Sequence, residues 1–319
     1  MLMQDFAASL SYKALPEDVL KVLRRSLLDS LGVAAIGSQT EMARIGTKTA
    51  RMMFGATSAS AARCLFDGNV ASLAGAAMAG AMTIDSIDAH DGTSPCKGHA
   101  GSAIFPALLA LADERSMTGQ DFATYLALAY EISYQAGLTQ HDICADYHTS
   151  GAWTAVGVAA MTARVIGCNP MQIHEAAGIG EYHGPRSQMM RCIDHPTMVR
   201  DGVGWGAPTG ITAGFLALNG FTGAPALTCQ GPHWQGLGET WKLVSDTHFK
   251  PYPCCRWAHP SIDAAADLMS KHEITHEQIS SVEIKTFHNA TRLAGHHPKT
   301  ADEFAYSIVF PVACMIVRG

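Results

Sequence analysis

Ala71-Ser-Leu-Ala-Gly-Ala-Ala-Met-Ala-Gly-Ala-Met82 decides the fold. Ala71, Ala74, Gly75, Ala76, Ala77, Ala79, Gly80 and Ala81 give it a nearly continuous face of small side chains, so a helix here lets neighbouring helix axes come close. Tight packing explains such a face without any ligand. Outward from it, Leu15 to Ile36 carries apolar residues at helical spacing (Val19, Leu20, Val22, Leu23, Leu27, Leu28, Leu31). That run follows Pro16-Glu17-Asp18, where a proline and two acids suit a first turn. Similar runs predict helices over Ala71 to Ile84, Ile104 to Asp113, Gly119 to Ala136, Gly151 to Ile166, Met171 to Gly178 and Gly206 to Gly220. Several are bounded by glycine or by an Asn-Pro stop such as Asn169-Pro170. The first three quarters reads as all helix.

After about Lys250 the pattern changes. Ser280-Ser-Val-Glu-Ile-Lys-Thr-Phe287 alternates apolar and polar residues as a half-buried strand should, after a helix predicted over Ser261 to His272. The expected class is therefore mainly α: an all-helical domain over 1–248 and the start of a smaller α/β module over 249–319. One strand cannot make a sheet. The reading favours a truncated module whose other strands lie in sequence absent from this chain, with a second chain as the alternative supplier.

With 319 residues, 48% hydrophobic and 16% charged, the chain can bury one large core or two unequal ones. A net charge of −6, with arginines mostly occurring singly, argues against a nucleic-acid partner. The nine cysteines include no CxxC pair and one must stay unpaired, so reduced thiols are expected, with no motif for an iron-sulfur cluster or structural zinc. Lyase chemistry, if present, would be metal-free. The start, Met1-Leu-Met-Gln-Asp-Phe, is unlike a secretory signal and no run of about twenty apolar residues spans a bilayer, so a cytoplasmic location is expected.

Two distant stretches concentrate the reactive side chains: Asp85-Ser-Ile-Asp88-Ala-His90-Asp91, running on to Lys97-Gly-His99, and Lys250-Pro-Tyr-Pro-Cys-Cys-Arg256-Trp-Ala-His259. The first interrupts the helical run, so its acids and imidazoles sit between buried elements, where pKa values are open to tuning. Asp85 and Asp88 lie three apart; on a continuing helix they share a face, and one of them orients His99. The two prolines after Lys250 hold its backbone extended and stiff.

With Leu27-Leu-Asp-Ser-Leu-Gly-Val33, Pro106-Ala-Leu-Leu-Ala-Leu-Ala112, Gly214-Phe-Leu-Ala-Leu-Asn-Gly-Phe-Thr-Gly223 and Asp302-Glu-Phe-Ala-Tyr-Ser-Ile308, these segments give a chain that resembles the MmgE/PrpD family throughout its length. That family includes methylcitrate dehydratase, cis-aconitate decarboxylase and iminodisuccinate epimerase. The resemblance implies a large helical domain, a smaller α/β lid, an active site in the cleft between them, a homodimer, no metal or organic cofactor, and small polycarboxylate substrates. It also implies that Asp85, His99, His148 and Lys250 are active-site groups. Three departures make decarboxylation less expected: Ala89 stands where the decarboxylase branch has a hydroxyl residue, Cys255 where it has a histidine, and Met198 to Gly204 is less basic, leaving Arg200 as its cation.

Dehydration, epimerisation and decarboxylation of a polycarboxylate all pass through a carbanion-like species, which needs a base, a proton donor and cations. His99 and His148 suit proton transfer, since imidazole titrates near working pH. Lys250 offers a carboxylate clamp, and Arg186, Arg191, Arg200 and Arg256 offer bidentate contacts. Asp88 and Tyr147 complete the candidate substrate-binding set. The Cys254–Cys255 pair with His259 is a weaker nucleophile candidate that lacks a visible orienting group. The leading expectation is a dehydratase of a small hydroxy polycarboxylate; the rivals are an epimerase using the same carbanion chemistry and an inactive dimeric binding protein.

Overall fold

The computed structural model describes residues 1–57, 60–293, 295 and 297–319. They form two compact units: Met1–Ser86, His90–Met189 and Arg200–Phe249 in the first, and Ile87–Ala89, Met190–Val199 and Lys250–Gly319 in the second. In chain order the helices are α1 (Met3–Ser9), α2 (Glu17–Gly37), α3 (Glu41–Met53), α4 (Leu73–Asp85), α5 (Gly101–Glu114), α6 (Gly119–Ile143), α7 (Ser150–Val165), α8 (Pro170–His183), α9 (Met189–Asp194) and α10 (Val203–Leu218). They continue with α11 (Lys242–Asp246), α12 (His259–His272), α13 (His288–Thr291), α14 (Ala301–Ala305) and α15 (Val309–Arg318). The fold is mainly α, as the periodicity predicts.

In the first unit, α7 is buried over nearly its whole length and packs against α6, α8 and α10. Small residues make this possible. A Cβ added to Gly157 of α7 would fall 2.0 Å from Ser133 Oγ and 2.6 Å from the Ala129 carbonyl of α6; one added to Gly210 of α10 would fall 2.5 Å from Val158 Cβ of α7. The face that opened the sequence reading behaves likewise, since a Cβ on Gly80 of α4 would meet Pro106 of α5 at 2.6 Å. Larger side chains, among them Trp153, Tyr130, Tyr134 and Phe105, fill the remaining core.

Asn169-Pro170 begins a helix as well as closing the preceding one. The Asn169 side chain accepts the Gln172 N–H, Gln172 returns the bond to the Asn169 N–H, and Pro170 occupies the first turn of α8. The sequence reading leaves α3 unassigned, yet Thr40 caps it by accepting the Ala43 N–H. Two antiparallel ladders interrupt the helices of this unit: β1 (Ala62–Arg63) with β2 (Val70–Ala71), and β3 (Gly92–Thr93) with β4 (Thr247–His248). The second ladder ties the loop that follows α4 to the segment after α11.

In the second unit α12 packs against α15. Here one expectation is corrected: Ser280 to Phe287 joins no ladder among the described residues. Val282, on the face the alternation assigns to the core, is more than half exposed, Ile284 on the same face is only partly buried, and Phe287 on the other face is exposed, so no burial drives the segment into a regular strand. Among the described residues, no helix is long and apolar enough to cross a membrane.

If close helix approach holds the first unit together, Gly157→Val overpacks the α6–α7 contact. It should lower unfolding stability by about 1–3 kcal/mol. A urea midpoint equal to that of the parent protein would contradict this.

Candidate active site

Helix α4 ends at Asp85, and Asp88 adopts φ 51°, in the left-handed region, so Asp85 and Asp88 do not share a helical face. The chain turns back instead. Asp85 Oδ1 lies 3.1 Å from His90 Nε2, and Asp85 Oδ2 accepts the Asp201 N–H at 3.2 Å. Asp85 therefore orients His90, and both partners are buried.

The next residue, Asp91, binds through all four of its polar atoms. Its N–H donates to Asp29 Oδ2 of α2 (2.9 Å). Its Oδ1 accepts the Gly101 N–H at the start of α5 (3.1 Å), and its Oδ2 accepts the Tyr130 hydroxyl of α6 (2.7 Å). Burial and the neighbouring Asp91 push the Tyr130 pKa well up, so the phenol stays a donor. The fourth atom, the Asp91 carbonyl, lies 2.7 Å from His99 Nδ1. A carbonyl only accepts, so the hydrogen bond assigns the proton to Nδ1 and leaves the lone pair of neutral His99 on Nε2.

His99 is set by its backbone too. Thr93 and Gly98 exchange backbone hydrogen bonds across a tight turn, and the His99 N–H donates to Ser150 Oγ at 2.9 Å. Glycine at 98 permits this approach, since a Cβ there would sit 2.4 Å from Ser150 Oγ. The His99 ring packs on that of His90 with centroids 4.3 Å apart. His99 keeps 12% of its side chain exposed, whereas that of His90 is sealed, so within this cluster His99 is the imidazole open to a ligand. Asp85, His90 and Asp201 each bring one donor atom within 4.8 Å of the others, a set able to hold a divalent cation. The Asp85–His90 hydrogen bond already joins two of the three.

The other candidates in this unit are placed as follows. His148 is buried two residues before Ser150, and its Nδ1 has no hydrogen-bond partner among the described residues. Burial, with Arg186 nearby, lowers its pKa and favours the neutral ring. Tyr147 donates its hydroxyl to the Lys97 carbonyl at 2.6 Å. Arg186 is exposed and its Nη2 lies 3.1 Å from Cys144 Sγ, whereas Arg200 is buried.

In the second unit the Lys250 ammonium donates to the Asp88 carbonyl (2.8 Å) and to Asp88 Oδ1 (2.6 Å). The Lys250 side chain is fully buried and that of Asp88 nearly so. Sequence reading assigns both residues to substrate; the structure joins them to each other. Burial and the Asp88 charge push the Cys254 and Cys255 thiols up to about 12, and His259 Nε2 faces the Cys254 carbonyl, so these cysteines are inert thiols and not a nucleophile pair. Tyr252 donates to Asp263 at 2.7 Å, while Arg191 and Arg256 are exposed.

Sequence reasoning underrates His90 and Asp91 and misses Asp29, Tyr130, Ser150 and Asp201. The signal for Asp29 is an acid inside the apolar face of α2; that for Tyr130 is a hydroxyl on α6 among Ala127, Leu128, Ala129 and Ile132, all buried.

Two family models match the chain: the MmgE/PrpD N-terminal domain over residues 2–236 and the MmgE/PrpD C-terminal domain over residues 252–319. No curated protein matches it at a significant level.

Because the Lys250–Asp88 pair is buried, Lys250→Met strands a carboxylate and should cost about 3–5 kcal/mol of unfolding stability. Adding Asp88→Asn removes that charge while keeping a residue tolerant of positive φ, and should recover part of the loss in the same denaturation assay. A single variant as stable as the parent would contradict the pairing.

Proposed function

The chain belongs to the MmgE/PrpD family, and on that premise we propose that it is a lyase that removes water from a small hydroxy di- or tricarboxylic acid without a metal or organic cofactor. The observation that carries the proposal is the bond between His99 Nδ1 and the Asp91 carbonyl, because it supports an unprotonated Nε2 on an imidazole open to a ligand. In this reading Nε2 takes the proton on the carbon next to a substrate carboxylate. The C–H electron pair becomes the new C=C bond as the C–O bond breaks. The departing hydroxide leaves as water after receiving a proton, which the newly formed imidazolium can return. Positioned proton transfer of this kind is worth about 10² to 10⁴ in rate.

Charge accumulates on the substrate carboxylate as the proton leaves, and Lys250 is the cation assigned to it. Its ammonium already grips a carboxylate oxygen, that of Asp88. Arg200, Arg186, Arg191 and Arg256 are assigned to the remaining carboxylates, where a guanidinium fork fits better than an ammonium. Asp85 serves by holding His90 against the base. Kinship with the family also supports a homodimer working in the cytoplasm.

An epimerase needs a second group that delivers a proton to the opposite face of the same carbon. His148, whose pKa burial lowers, is the candidate for that group.

His99→Ala, tested with methylcitrate-like hydroxy acids and read by alkene absorbance, should lose at least about 10² in kcat/KM. Unchanged turnover in a folded variant would defeat the assignment. Deuterium entering the substrate from heavy water, with no alkene formed, would select the epimerase.

A further inference from the structure

Helix α3 carries Arg44, Thr47, Lys48 and Arg51 at spacings of three and four, so the four residues share one face. That face borders a cavity of about 300 Å³ in the first unit, which Phe66 and Asp67 of the turn between β1 and β2 also line. Three cations stand against one acid in this lining. Arg44 keeps to Glu41, its Nε donating to Oε2 at 2.7 Å, whereas Lys48 and Arg51 have no hydrogen bond or ion pair among the described residues. Asp67 is turned to Asn69, since its Oδ1 accepts the Asn69 N–H at 3.0 Å and also the side-chain amide.

Thr47 is the inner donor. It is 7% exposed, and its hydroxyl makes no hydrogen bond among the described residues. A hydroxyl so placed is costly unless a ligand or water satisfies it. A phosphate oxygen satisfies it while Lys48 and Arg51 neutralise the charge, and a terminal phosphate offers three oxygens to these three donors where a carboxylate offers two. Phe66 adds a second feature. Its φ of 59° lies in the left-handed region that bulky residues rarely adopt, and it is 54% exposed. It also lines a neighbouring cavity of about 480 Å³, where Arg63 and Asp113 neutralise each other, Nε to Oδ1 at 3.0 Å. The unbalanced positive charge therefore belongs to the α3 side, and the aromatic residue borders both hollows.

We propose that the α3 cavity binds a phosphate-bearing small molecule, a nucleotide whose phosphates meet Thr47, Lys48 and Arg51 and whose base stacks on Phe66. An inorganic polyphosphate shares the first half of that chemistry and lacks the second. The site stands apart from the lyase reading, which uses none of these residues.

Calorimetric titration of the full chain at low salt with ADP, inorganic pyrophosphate and adenosine tests the site. ADP and pyrophosphate should bind and shift the methyl NMR signals of Leu65, which also lines the cavity, and adenosine should bind far more weakly. Lys48→Gln with Arg51→Gln should weaken both phosphate ligands at least about tenfold. Lys13→Gln with Lys21→Gln, the same charge removed from two exposed positions elsewhere, should leave both affinities as they are. Phe66→Gly, which suits the positive φ, should weaken ADP at least about fivefold and spare pyrophosphate. Failure of both phosphate ligands to bind, or equal losses in the two lysine-containing double variants, overturns the proposal. ADP binding that depends on Lys48 and Arg51 but ignores Phe66→Gly upholds the phosphate site and overturns the nucleotide assignment.

Discussion

Asp91 is the residue on which the site of the first unit depends, because each of its four polar atoms fixes a different element. Its N–H reaches α2, its two carboxylate oxygens reach the first turn of α5 and the middle of α6, and its carbonyl reaches His99. A buried acid is costly unless it is fully hydrogen-bonded, and a fully bonded one is rigid. The rigidity passes to His99, whose tautomer follows from a backbone carbonyl that cannot donate. The helical scaffold that holds the Asp91 partners in place rests in turn on glycines such as Gly157 and Gly210, which let α6, α7 and α10 approach almost to backbone contact.

The helical class was legible in the sequence, since apolar periodicity over α2, α4, α6 and α7 reports burial directly and the small-residue face reports close packing. The chemistry was legible only as a concentration of reactive residue types. Partner choice was not, for a physical reason. Spacing of three suggests a shared helical face for Asp85 and Asp88, but the left-handed backbone at Asp88 breaks the helix and sends each acid to a different partner, His90 or Lys250. Asp201 and Ser150 stand about fifty residues apart, and Ser150 as far again from His99, so no local pattern announces that one serine oxygen joins all three. The strand read over Ser280 to Phe287 failed because alternation marks a face that needs a partner to bury it, and none covers it among the described residues.

The second unit shows how one pairing changes the meaning of a motif. Two prolines do stiffen the backbone after Lys250, but the ammonium meets the carbonyl and carboxylate of Asp88. The same Asp88 charge, added to burial, drives the neighbouring thiols out of the reactive range. The lyase reading has that ammonium give up Asp88 for a substrate carboxylate, while the proton chemistry stays with His99.

The nitrogen shifts of the His99 side chain in the uncomplexed protein, at a pH where the ring is neutral, test the account most directly. Long-range nitrogen–proton correlation should show a protonated Nδ1 and a bare Nε2, the tautomer set by the Asp91 carbonyl. A neutral ring carrying its proton on Nε2 would contradict the account, because that nitrogen would then have no lone pair with which to take a proton from a substrate.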